Sequence, residues 1–285
     1  METLKIAIQK SGRLNEDSVN LLKECGISIY NGNDQLKAKA GNFPLEILYL
    51  RNSDIPQYVQ DGVAHCAILG ENVVIEKRKK IEVIEKLGFS KCRLAMAVPK
   101  DTNYSGLSWF NNKRIATSYP HTLREFMSKN NIQADIHEIS GSVEIAPNIG
   151  LADAVCDLVS SGGTLFNNGL KEVEVILNSE ACLVVNTDLN GEQKTILDQL
   201  LFRIQSVLSA RNNKYVLLNA PNDKLDDIIS ILPGMKSPTV LPLAEEGWSS
   251  LHTVINEQKF WEIIDQLKAK GAEGILIVPI EKMIA

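Results

Sequence analysis

The stretch ADAVCDLVSSGGTL, residues 152–165, joins an apolar run directly to a loop of small residues. The apolar run has the alternation of a buried β-strand, in which successive side chains point to opposite faces of a sheet. One face carries Ala154, Cys156 and Leu158, and the other carries Val155, Asp157 and Val159. A carboxylate such as Asp157 is costly to bury unless it is hydrogen-bonded, so we expect it near the carboxyl edge of a sheet, beside a ligand or loop amides.

The loop at residues 160–164 allows two interpretations. Gly and Ser are common in ordinary turns, and the lysine of a P-loop is missing, so the segment alone favours a turn. Glycine amides at a helix start can also cradle a phosphate. A carboxylate for ribose hydroxyls, followed by small residues for a 5-phosphate, favours a phosphoribosyl site when cations at other strand ends are included. Asp153 could share or take the role of Asp157, because the strand phase could be in error.

Short apolar runs alternate with amphipathic helical patterns on both sides of this stretch. The first strand is predicted at Leu4–Gln9, followed by a helix that ends at Gly26. Asp54 is the expected N-cap of another helix, with Pro56 in its first turn. This alternation predicts an α/β fold with a parallel sheet built through helical crossovers. A long helix with one broad apolar face is predicted at 192–211.

The residues beyond a break near 211–213 follow a different order. Their pattern is strand–helix–strand–strand–helix–strand, which is the order of a ferredoxin-like βαββαβ domain. Small domains of this kind often add ligand sensing or assembly to an enzyme, although the fold alone fixes no function.

The composition is that of an ordinary globular protein. The 285 residues are 44% hydrophobic and carry a net charge of −5, which argues against a nucleic-acid partner. Five widely spaced cysteines and four scattered histidines predict reduced thiols and no metal site held mainly by the protein. No signal-peptide pattern and no membrane-spanning run is apparent, so we expect a cytoplasmic protein without a membrane partner.

Cations follow two of the predicted strands, at the edge where ligands bind in open α/β sheets. Lys10 and Arg13 stand in QKSGRL, residues 9–14, and are either phosphate ligands or surface cations of a turn. Arg51 in LRNSDIP allows the same two interpretations, whereas Asp54 is expected to be a structural cap rather than an acid or base. An acidic chain needs such a local cluster of cations to bind an anion.

Polar groups follow two further strands. The sequence ILGEN, residues 68–72, brings Gly70 and Glu71, and Glu71 either accepts from ribose hydroxyls or an amine or is an exposed loop carboxylate. The sequence RIATSYP, residues 114–120, ends with Ser118 and Tyr119. Tyr119 either stacks on a base or packs against the protein.

Several motifs occur in an order and spacing that resemble the ATP phosphoribosyltransferase family. They are QKSGRL, DIPQYVQDGV, ILGENV, CRLAMAVP, RIATSYP, GSVEIAPNIGLADAVCDLVSSGGTL and ACLVVN. Near the C-terminus, LPGMKSPTVLPLA and LIVPIEKM resemble the extension of the family's long form. The resemblance runs nearly end to end, and residues 144–165 correspond to the family's signature.

The resemblance implies a two-lobed catalytic body like that of periplasmic binding proteins, with the substrates in the cleft. Residues 1–95 with 181–211 would form the first lobe, 96–180 the second, and 212–285 a regulatory domain. ATP would react through adenine N1 with 5-phosphoribosyl-1-pyrophosphate (PRPP), releasing pyrophosphate. The family further implies a requirement for Mg²⁺, feedback inhibition by histidine, competition by AMP, and hexamers that exchange with dimers.

The resemblance also assigns site residues. It gives catalytic roles to Lys10, Arg13 and Asp157. It assigns PRPP binding to Glu144, Asp153, Ala154, Asp157, Ser160, Ser161, Gly162, Gly163 and Thr164. It assigns ATP binding to Arg13, Arg51, Gly70, Glu71, Arg93, Ser118 and Tyr119. In the last domain it assigns histidine binding to Asn219, Ser237, Thr239 and Ala272.

Two other functional classes are compatible with such a chain. A non-catalytic solute-binding protein shares the two-lobed fold and also holds anions between lobes. The missing export signal, the reduced-looking cysteines and the appended domain argue against it. A catalytically dead regulatory paralogue would be expected to lose Lys10, Arg13 or the Gly-rich loop, and all three are present.

Overall fold

The computed structural model describes residues 2–30, 36–232, 234 and 237–284. The chain divides into two compact units, Met1–Lys23 with Ile27–Ile196 and Glu24–Gly26 with Leu197–Ala285. Among the described residues, no helix combines the length and apolar character needed to cross a membrane.

The first unit contains two β-sheets and five short helices among its described residues, besides the start of a long sixth helix. Its strands are β1 (Leu4–Gln9), β2 (Lys37–Lys39), β3 (Leu45–Leu50), β4 (Cys66–Gly70), β5 (Glu82–Lys86), β6 (Cys92–Pro99), β7 (Arg114–Thr117), β8 (Asp135–Glu138), β9 (Ala154–Val159), β10 (Leu170–Ser179) and β11 (Ala181–Val185). Its helices are α1 (Arg13–Glu24), α2 (Ile55–Gln60), α3 (Glu71–Lys77), α4 (Pro120–Lys129) and α5 (Gly163–Asn167), and α6 (Gly191–Arg211) begins in it.

The first sheet has the strand order β2-β3-β1-β4-β11-β5. Strands β3, β1 and β4 are parallel, as predicted, but β11 is antiparallel to β4 and β5, and β2 is antiparallel to β3. The prediction of a parallel sheet is therefore wrong at both edges. The physical reason at β11 is that only Glu180 separates it from β10, so no helical crossover precedes it.

The second sheet has the order β10-β6-β9-β7-β8. Strands β9, β7 and β8 are parallel, and β6 is antiparallel to both β9 and β10. The predicted phase of β9 is confirmed: Ala154 and Cys156 pack in one apolar cluster, and Val155 and Val159 pack in another on the opposite face. Both sheets bury their central strands, which fixes the strand ends that carry the polar residues.

Local predictions for the helices hold in part. Gly26 follows α1 with a φ of +74°, but the helix already begins at Arg13. Asp54 stands at the N-cap of α2 without a side-chain capping bond, and its Oδ1 instead accepts from Ser53 Oγ at 3.0 Å. The segment ILGEN was expected to end in a loop, whereas α3 begins directly at Glu71.

The cysteines lie mostly in the interior of the protein. All five are free, four are buried, and Cys92 is half-buried. Burial is the main cause that raises the pKa of the Cys25 thiol, to about 11, which keeps it protonated and unreactive at neutral pH.

The second unit contains most of α6 and a four-stranded sheet. The elements after α6 are β12 (Asn213–Pro221), α7 (Leu225–Ile231), β13 (Thr239–Pro242), β14 (Trp248–Asn256), α8 (Glu257–Ala269) and β15 (Glu273–Pro279). The sheet order is β13-β14-β12-β15, with every neighbouring pair antiparallel. This confirms the ferredoxin-like order. Three positions of the motif at 232–244, namely 233, 235 and 236, lie outside the described residues.

Candidate active site

A cavity of about 270 Å³ opens where strands of both sheets of the first unit end. Its lining includes Gln9, Arg13, Gly70, Asn72, Lys91 and Ser160. Residues separated by up to 151 positions in sequence are thus brought to one place, because β1, β4 and β9 all end there. Carboxyl ends of parallel strands are the usual ligand site of α/β folds.

The first wall of the cavity comes from the turn between β1 and α1. Gly12 has a φ of +84°, a conformation that side chains other than glycine adopt with strain, and the turn places Arg13 at the first position of α1. The Arg13 side chain is 72% exposed and approaches Asp17 Oδ2 only to 3.8 Å. Its guanidinium is therefore available to a ligand. Lys10 lies at the end of β1 and is also exposed.

Asn52 was not singled out from the sequence, yet it lines the same cavity. Its Oδ1 is buried and has no hydrogen-bond partner among the described residues. A buried acceptor without a donor costs free energy, so a donor group of a ligand would be stabilised there. Its neighbour Arg51 is exposed just after β3.

The start of α3 forms a second wall. A Cβ atom at Gly70 would collide with the side-chain oxygen of Asn72, so only glycine fits there without a shift. Glu71 forms an ion pair with Lys86 of β5 at 3.0 Å, and the two line a second cavity of about 320 Å³ that shares Lys91 and Cys92 with the first. Glu71 is thus neither a loop residue nor unpartnered.

Ser118 and Tyr119 follow β7, as predicted. The Ser118 hydroxyl donates to the Ile139 carbonyl at 2.6 Å, which fixes the loop after β8. The Tyr119 hydroxyl accepts from Asn72 Nδ2 at 3.0 Å. Burial, followed by the nearby charge of Asp157, raises the pKa of Tyr119, so its hydroxyl stays protonated in the neutral range.

Asp157 is half-buried in β9, two residues before the strand ends. Its Oδ1 accepts from the Leu158 backbone N–H at 2.8 Å. Burial raises the pKa of this carboxyl, the charge of Glu144 raises it further, and the Leu158 N–H lowers it. Glu144 lies in the short 3₁₀ turn Val143–Ile145. A carboxylate that is costly to desolvate beside a cavity has the character of a functional group.

Asp153 lies at the opposite end of β9, just before the strand begins. It accepts from the Arg114 backbone N–H at 2.9 Å and from Arg114 Nη2 at 3.0 Å. These hydrogen bonds hold the pKa of Asp153 below its usual value. Four residues of strand span roughly 13 Å, so Asp153 is remote from the Gly-rich loop. Ala154 is fully buried in the core and faces away from Asp157.

The Gly-rich loop leads from β9 into α5. Gly162 has a φ of +82° and stands at the N-cap of α5, and the side chains of Ser160, Ser161 and Thr164 are exposed. The first amides of a helix have no intrahelical acceptor. Among the described residues, no turn or loop carbonyl accepts a hydrogen bond from the backbone N–H groups of residues 161–164. These amides can therefore receive an anion.

Arg93 of β6 braces the loop from behind. Its Nε and Nη2 each donate to a carboxylate oxygen of Glu172 at 2.6 Å, and its Nη1 donates to the Ser160 carbonyl at 3.3 Å. The resemblance assigns Arg93 to ATP binding, and in the structure its guanidinium contacts Glu172 and the Gly-rich loop. Lys100 Nζ holds the other end of α5 by donating to the Phe166 carbonyl at 2.9 Å.

Comparison with known proteins gives the same family throughout the chain. A family model described as ATP phosphoribosyltransferase matches residues 51–206, and one described as HisG, C-terminal domain, matches residues 210–282. Proteins named ATP phosphoribosyltransferase from Cytophaga hutchinsonii and Bacteroides fragilis are each 58% identical over 99% of this chain, and the alignments cover 98% and 99% of those proteins. The chain belongs to the ATP phosphoribosyltransferase family.

One solved structure agrees with this assignment. The ATP phosphoribosyl transferase (HisG:HisZ) complex from Thermotoga maritima aligns with a TM-score of 0.62 and 27% identity, covering 73% of this chain and 99% of that chain. Members of the ATP phosphoribosyltransferase family are pentosyltransferases of histidine biosynthesis, so this chain is an enzyme of that class. The α/β body with a separate C-terminal βαββαβ sheet is the fold expected from the family resemblance.

Some of the residues assigned to ATP phosphoribosyltransferase function line the cavity of the first unit, and others are held in ion pairs. Arg13, Gly70 and Ser160 line one cavity. Asp153, Arg93 and Glu71 are engaged in ion pairs with Arg114, Glu172 and Lys86. Gln9, Asn52, Asn72, Ser90, Lys91 and Cys92 line the cavity without having been assigned to a ligand. The sequence signal that could have found them is their position at the end of a strand or within two residues of one.

The proposed histidine residues of this ATP phosphoribosyltransferase family member lie in the second unit. Asn219 of β12 and Thr239 of β13 share the sheet face without helices, through the registers Asn219–Ser250 and Thr239–His252. Ser237 is exposed just before β13. Ala272 is buried in the core under α8, so its side chain is not on that face.

Proposed function

We propose that this chain joins ATP through adenine N1 to C1 of PRPP, giving 1-(5-phosphoribosyl)-ATP and pyrophosphate. The observation that carries the proposal is the cavity lined both by the exposed Arg13 and by Ser160 of the Gly-rich loop. A cation on the cavity, with the amides of the adjoining Gly-rich loop beside it, suits a substrate with phosphate at both ends of its ribose. Family membership adds the reaction that such a site would perform.

Asp157 is proposed to orient the ribose hydroxyls of PRPP. Its carboxylate is half-buried and, among the described residues, accepts a hydrogen bond from the Leu158 backbone N–H, which leaves acceptor capacity for two adjacent hydroxyls. Asp153 is a poorer choice because Arg114 occupies it at the far end of β9. The geometry supports Asp157 over the alternative that the sequence left open.

The backbone amides and side chains of Ser160, Ser161, Gly162, Gly163 and Thr164 are proposed to hold the 5-phosphate. The positive φ of Gly162 turns the chain so that consecutive N–H groups lie at the start of α5. Such groups form an anion-binding concavity. Glu144 is proposed to contact the same substrate, and its charge already acts on Asp157.

Lys10 and Arg13 are proposed to balance the negative charge of the phosphates and of the leaving pyrophosphate. ATP is assigned to the side formed by Arg51, Gly70, Ser118 and Tyr119. Glu71 contributes there through its ion pair with Lys86 rather than as a free charge, whereas Arg93, paired with Glu172, supports the Gly-rich loop instead. The buried, unpartnered Asn52 Oδ1 adds an acceptor that a nucleotide hydroxyl or amino group would satisfy.

The reaction fits a site without a strong general base. The lone pair of adenine N1 forms the new bond to ribose C1 as the C1–O bond to pyrophosphate breaks, and that bonding pair leaves with the pyrophosphate oxygen. Charge therefore builds up on the leaving group and on an oxocarbenium-like ribose. Positioning and electrostatic stabilisation are the main contributions required of the protein.

Mg²⁺ is proposed as the cofactor. Among the described residues there is no cluster of three or more His, Cys, Asp or Glu side chains suited to a metal. Asp157 carries oxygen donors of the right type, and Glu144 is close enough for its charge to act on Asp157, so the two fit an ion that keeps most of its ligands from water and phosphate. When bound, the ion neutralises charge on the pyrophosphate. The protein's own contribution is to orient the ribose and the two phosphate ends.

Regulation and assembly are proposed from family membership. Histidine would inhibit by binding the second unit near Asn219, Ser237, Thr239 and Ala272, and AMP would compete at the ATP site. We further propose a hexamer that exchanges with dimers, a cytoplasmic location, and no nucleic-acid or membrane partner. Inhibition from the second unit would be a coupling free energy between two separate sites.

Product analysis tests the proposed reaction. The purified chain is incubated with ATP, PRPP and Mg²⁺, and the product is analysed by mass spectrometry and by NMR of the adenine ring. We expect one product of the mass of phosphoribosyl-ATP with the new bond at N1. A product substituted elsewhere, or no product from a folded wild-type protein, would contradict the proposal.

A further inference from the structure

Helix α3 of the first sheet holds the first turn of α4 of the second sheet through a buried carboxylate. Glu76 is only 4% exposed. It accepts from the backbone N–H groups of His121 and Thr122, each at 2.9 Å, and from the Thr122 hydroxyl at 2.7 Å. The first amides of a helix need external acceptors, and a carboxylate there also interacts favourably with the helix dipole. Glu76 therefore caps a helix that belongs to another sheet.

Asn72 makes a second buried contact between the same helices. It is 3% exposed and precedes Glu76 by four residues, so both side chains lie on one face of α3. Its Nδ2 donates to the Tyr119 hydroxyl at 3.0 Å, and its Oδ1 accepts from the Ser179 hydroxyl at 2.9 Å. Ser179 Oγ in turn accepts from the Asn72 backbone N–H at 3.0 Å. The Asn72 side chain thus contacts both the residue that precedes α4 and the last residue of β10.

These contacts join two sheets that are also connected by the chain itself. The two connecting segments pair with each other, through Leu87 N–H to the Ala181 carbonyl at 2.9 Å and Ala181 N–H to the Phe89 carbonyl at 3.0 Å. Two adjacent connections alone leave a hinge about which sheets can rotate. The α3–α4 contacts form a third connection, which restricts that rotation.

We propose that Asn72 and Glu76 are positioning residues that set the width of the substrate cavity by fixing α4 against α3. The inference rests on the proposed function of that cavity. We call the hydrogen-bonded group of Asn72, Glu76, Tyr119, Thr122 and Ser179 the latch. Asn72 lines the cavity and donates to Tyr119, so the latch lies where the start of α3 meets the second sheet. Asn72 and Glu76 take no part in bond formation.

The latch makes specific demands on its members. A buried carboxylate with three donors cannot be replaced by an amide without turning its NH₂ toward another donor. Glu76→Gln should therefore loosen the first turn of α4, and Thr122→Val should do so more weakly because one of the three hydrogen bonds is lost. Asn72→Ala removes the donor and Tyr119→Phe removes the acceptor of the hydrogen bond between Asn72 and Tyr119.

The test combines steady-state kinetics with hydrogen exchange on the full-length chain. We expect Glu76→Gln to lower kcat/KM for both substrates by about tenfold, and to speed amide exchange at His121 and Thr122 while β7 amides keep their protection. Asn72→Ala and Tyr119→Phe should be non-additive in a double-mutant cycle of kcat. Arg78→Ala is the matched control, because it breaks an α3–α4 ion pair whose side chains are 55% and 48% exposed, and it should leave kinetics unchanged.

The outcomes separate this inference from the proposed function. If Glu76→Gln lowers only the melting temperature, with wild-type kcat and KM at a temperature where it is folded, the latch is structural and the inference is wrong. Additive effects of Asn72→Ala and Tyr119→Phe would also contradict it. If the wild-type protein forms no product, the proposed function fails, and localised exchange at α4 in Glu76→Gln then establishes whether the latch itself exists.

Discussion

Asp153 and Arg114 pair across the amino ends of β9 and β7, with Arg114 Nη2 3.0 Å from Asp153 Oδ1. This pair gives the two aspartates of one strand different roles. Asp153 is bound by a cation at the end remote from the cavity, while Asp157 stands near the Gly-rich loop with a single backbone donor. The contrast leads directly to the first two predictions.

Asp153→Asn should leave turnover close to wild type and reduce stability slightly. The pair is partly exposed, so the loss should be about 1 kcal/mol or less. Because the pKa of Asp153 is lowered in the folded state, its stabilising effect is present above the unfolded value near 3.8 and is lost as pH falls through the folded pKa. Urea unfolding of both proteins at several pH values checks this. A large loss of kcat with normal stability would instead place Asp153 in the site.

Asp157→Asn should lower kcat/KM by a factor of about ten to a thousand, equivalent to roughly 1.4–4 kcal/mol of transition-state binding. The same change should not destabilise the fold at pH 7, because the raised pKa shows that the charged form is disfavoured there and Asn keeps the acceptor for Leu158. Relative to the variant, wild-type stability should fall as pH rises through the folded pKa. Normal turnover and PRPP affinity in a folded variant would refute the assignment.

Arg13→Ala should weaken substrate binding and turnover without unfolding the protein, since the side chain is 72% exposed and its ion pair with Asp17 is a loose one at 3.8 Å. Lys23→Ala, an exposed cation in the last turn of the same helix, is the control for loss of surface charge. Calorimetry with ATP and with PRPP separates the two ligands. Unchanged affinities together with normal turnover would show that Arg13 is a surface cation.

Glu172→Gln should raise KM for PRPP several-fold by releasing one side of the Arg93 brace behind the Gly-rich loop, since charge-assisted, two-point pairs are about twice as strong as neutral hydrogen bonds. Glu174→Gln, two residues along β10 and bonded to the Tyr104 hydroxyl at 2.7 Å, is the matched control. If Glu172→Gln changed KM for ATP and left PRPP unaffected, Arg93 would belong to the nucleotide site, as the sequence first suggested.

Thr239→Ala and Asn219→Ala should each reduce inhibition by histidine while leaving turnover without histidine unchanged. Both residues lie on the helix-free face of the second unit's sheet, away from its core. Ser230→Ala, in α7 on the other side of that sheet, serves as control. Dose–response curves for histidine measure the effect. Wild-type inhibition in both variants would move the effector site elsewhere.

The alternation of side chains along the strands predicts most of the fold. It has a fixed period and can be recognised without knowing which strands pair with one another. It placed Asp157 on the face with Val155 and Val159, and the structure agrees. It did not reveal α3, since Gly70 and Glu71 follow the strand with no Ser, Thr, Asp or Asn at the N-cap to announce a helix.

Contacts between distant segments could not be derived from the sequence. Glu76 meets Thr122 across 46 residues and Arg93 meets Glu172 across 79, and nothing local in either segment specifies the partner. For the same reason, the sequence does not reveal that Glu71 and Arg93, which the resemblance assigns to a ligand, each also form an ion pair. A polar or charged residue at the end of a strand predicts that a site lies nearby. Which side chain that residue contacts is determined by tertiary packing.

Pyrophosphate release under single-omission conditions tests the central claim most directly. The full-length chain is mixed with ATP, PRPP and Mg²⁺, and pyrophosphate is followed continuously by a coupled assay. We predict release that requires all three components and falls about ten- to a thousandfold in Asp157→Asn but not in Asp153→Asn. Binding of ATP and PRPP by the wild-type protein without pyrophosphate release, or equal release by both variants, would contradict the account.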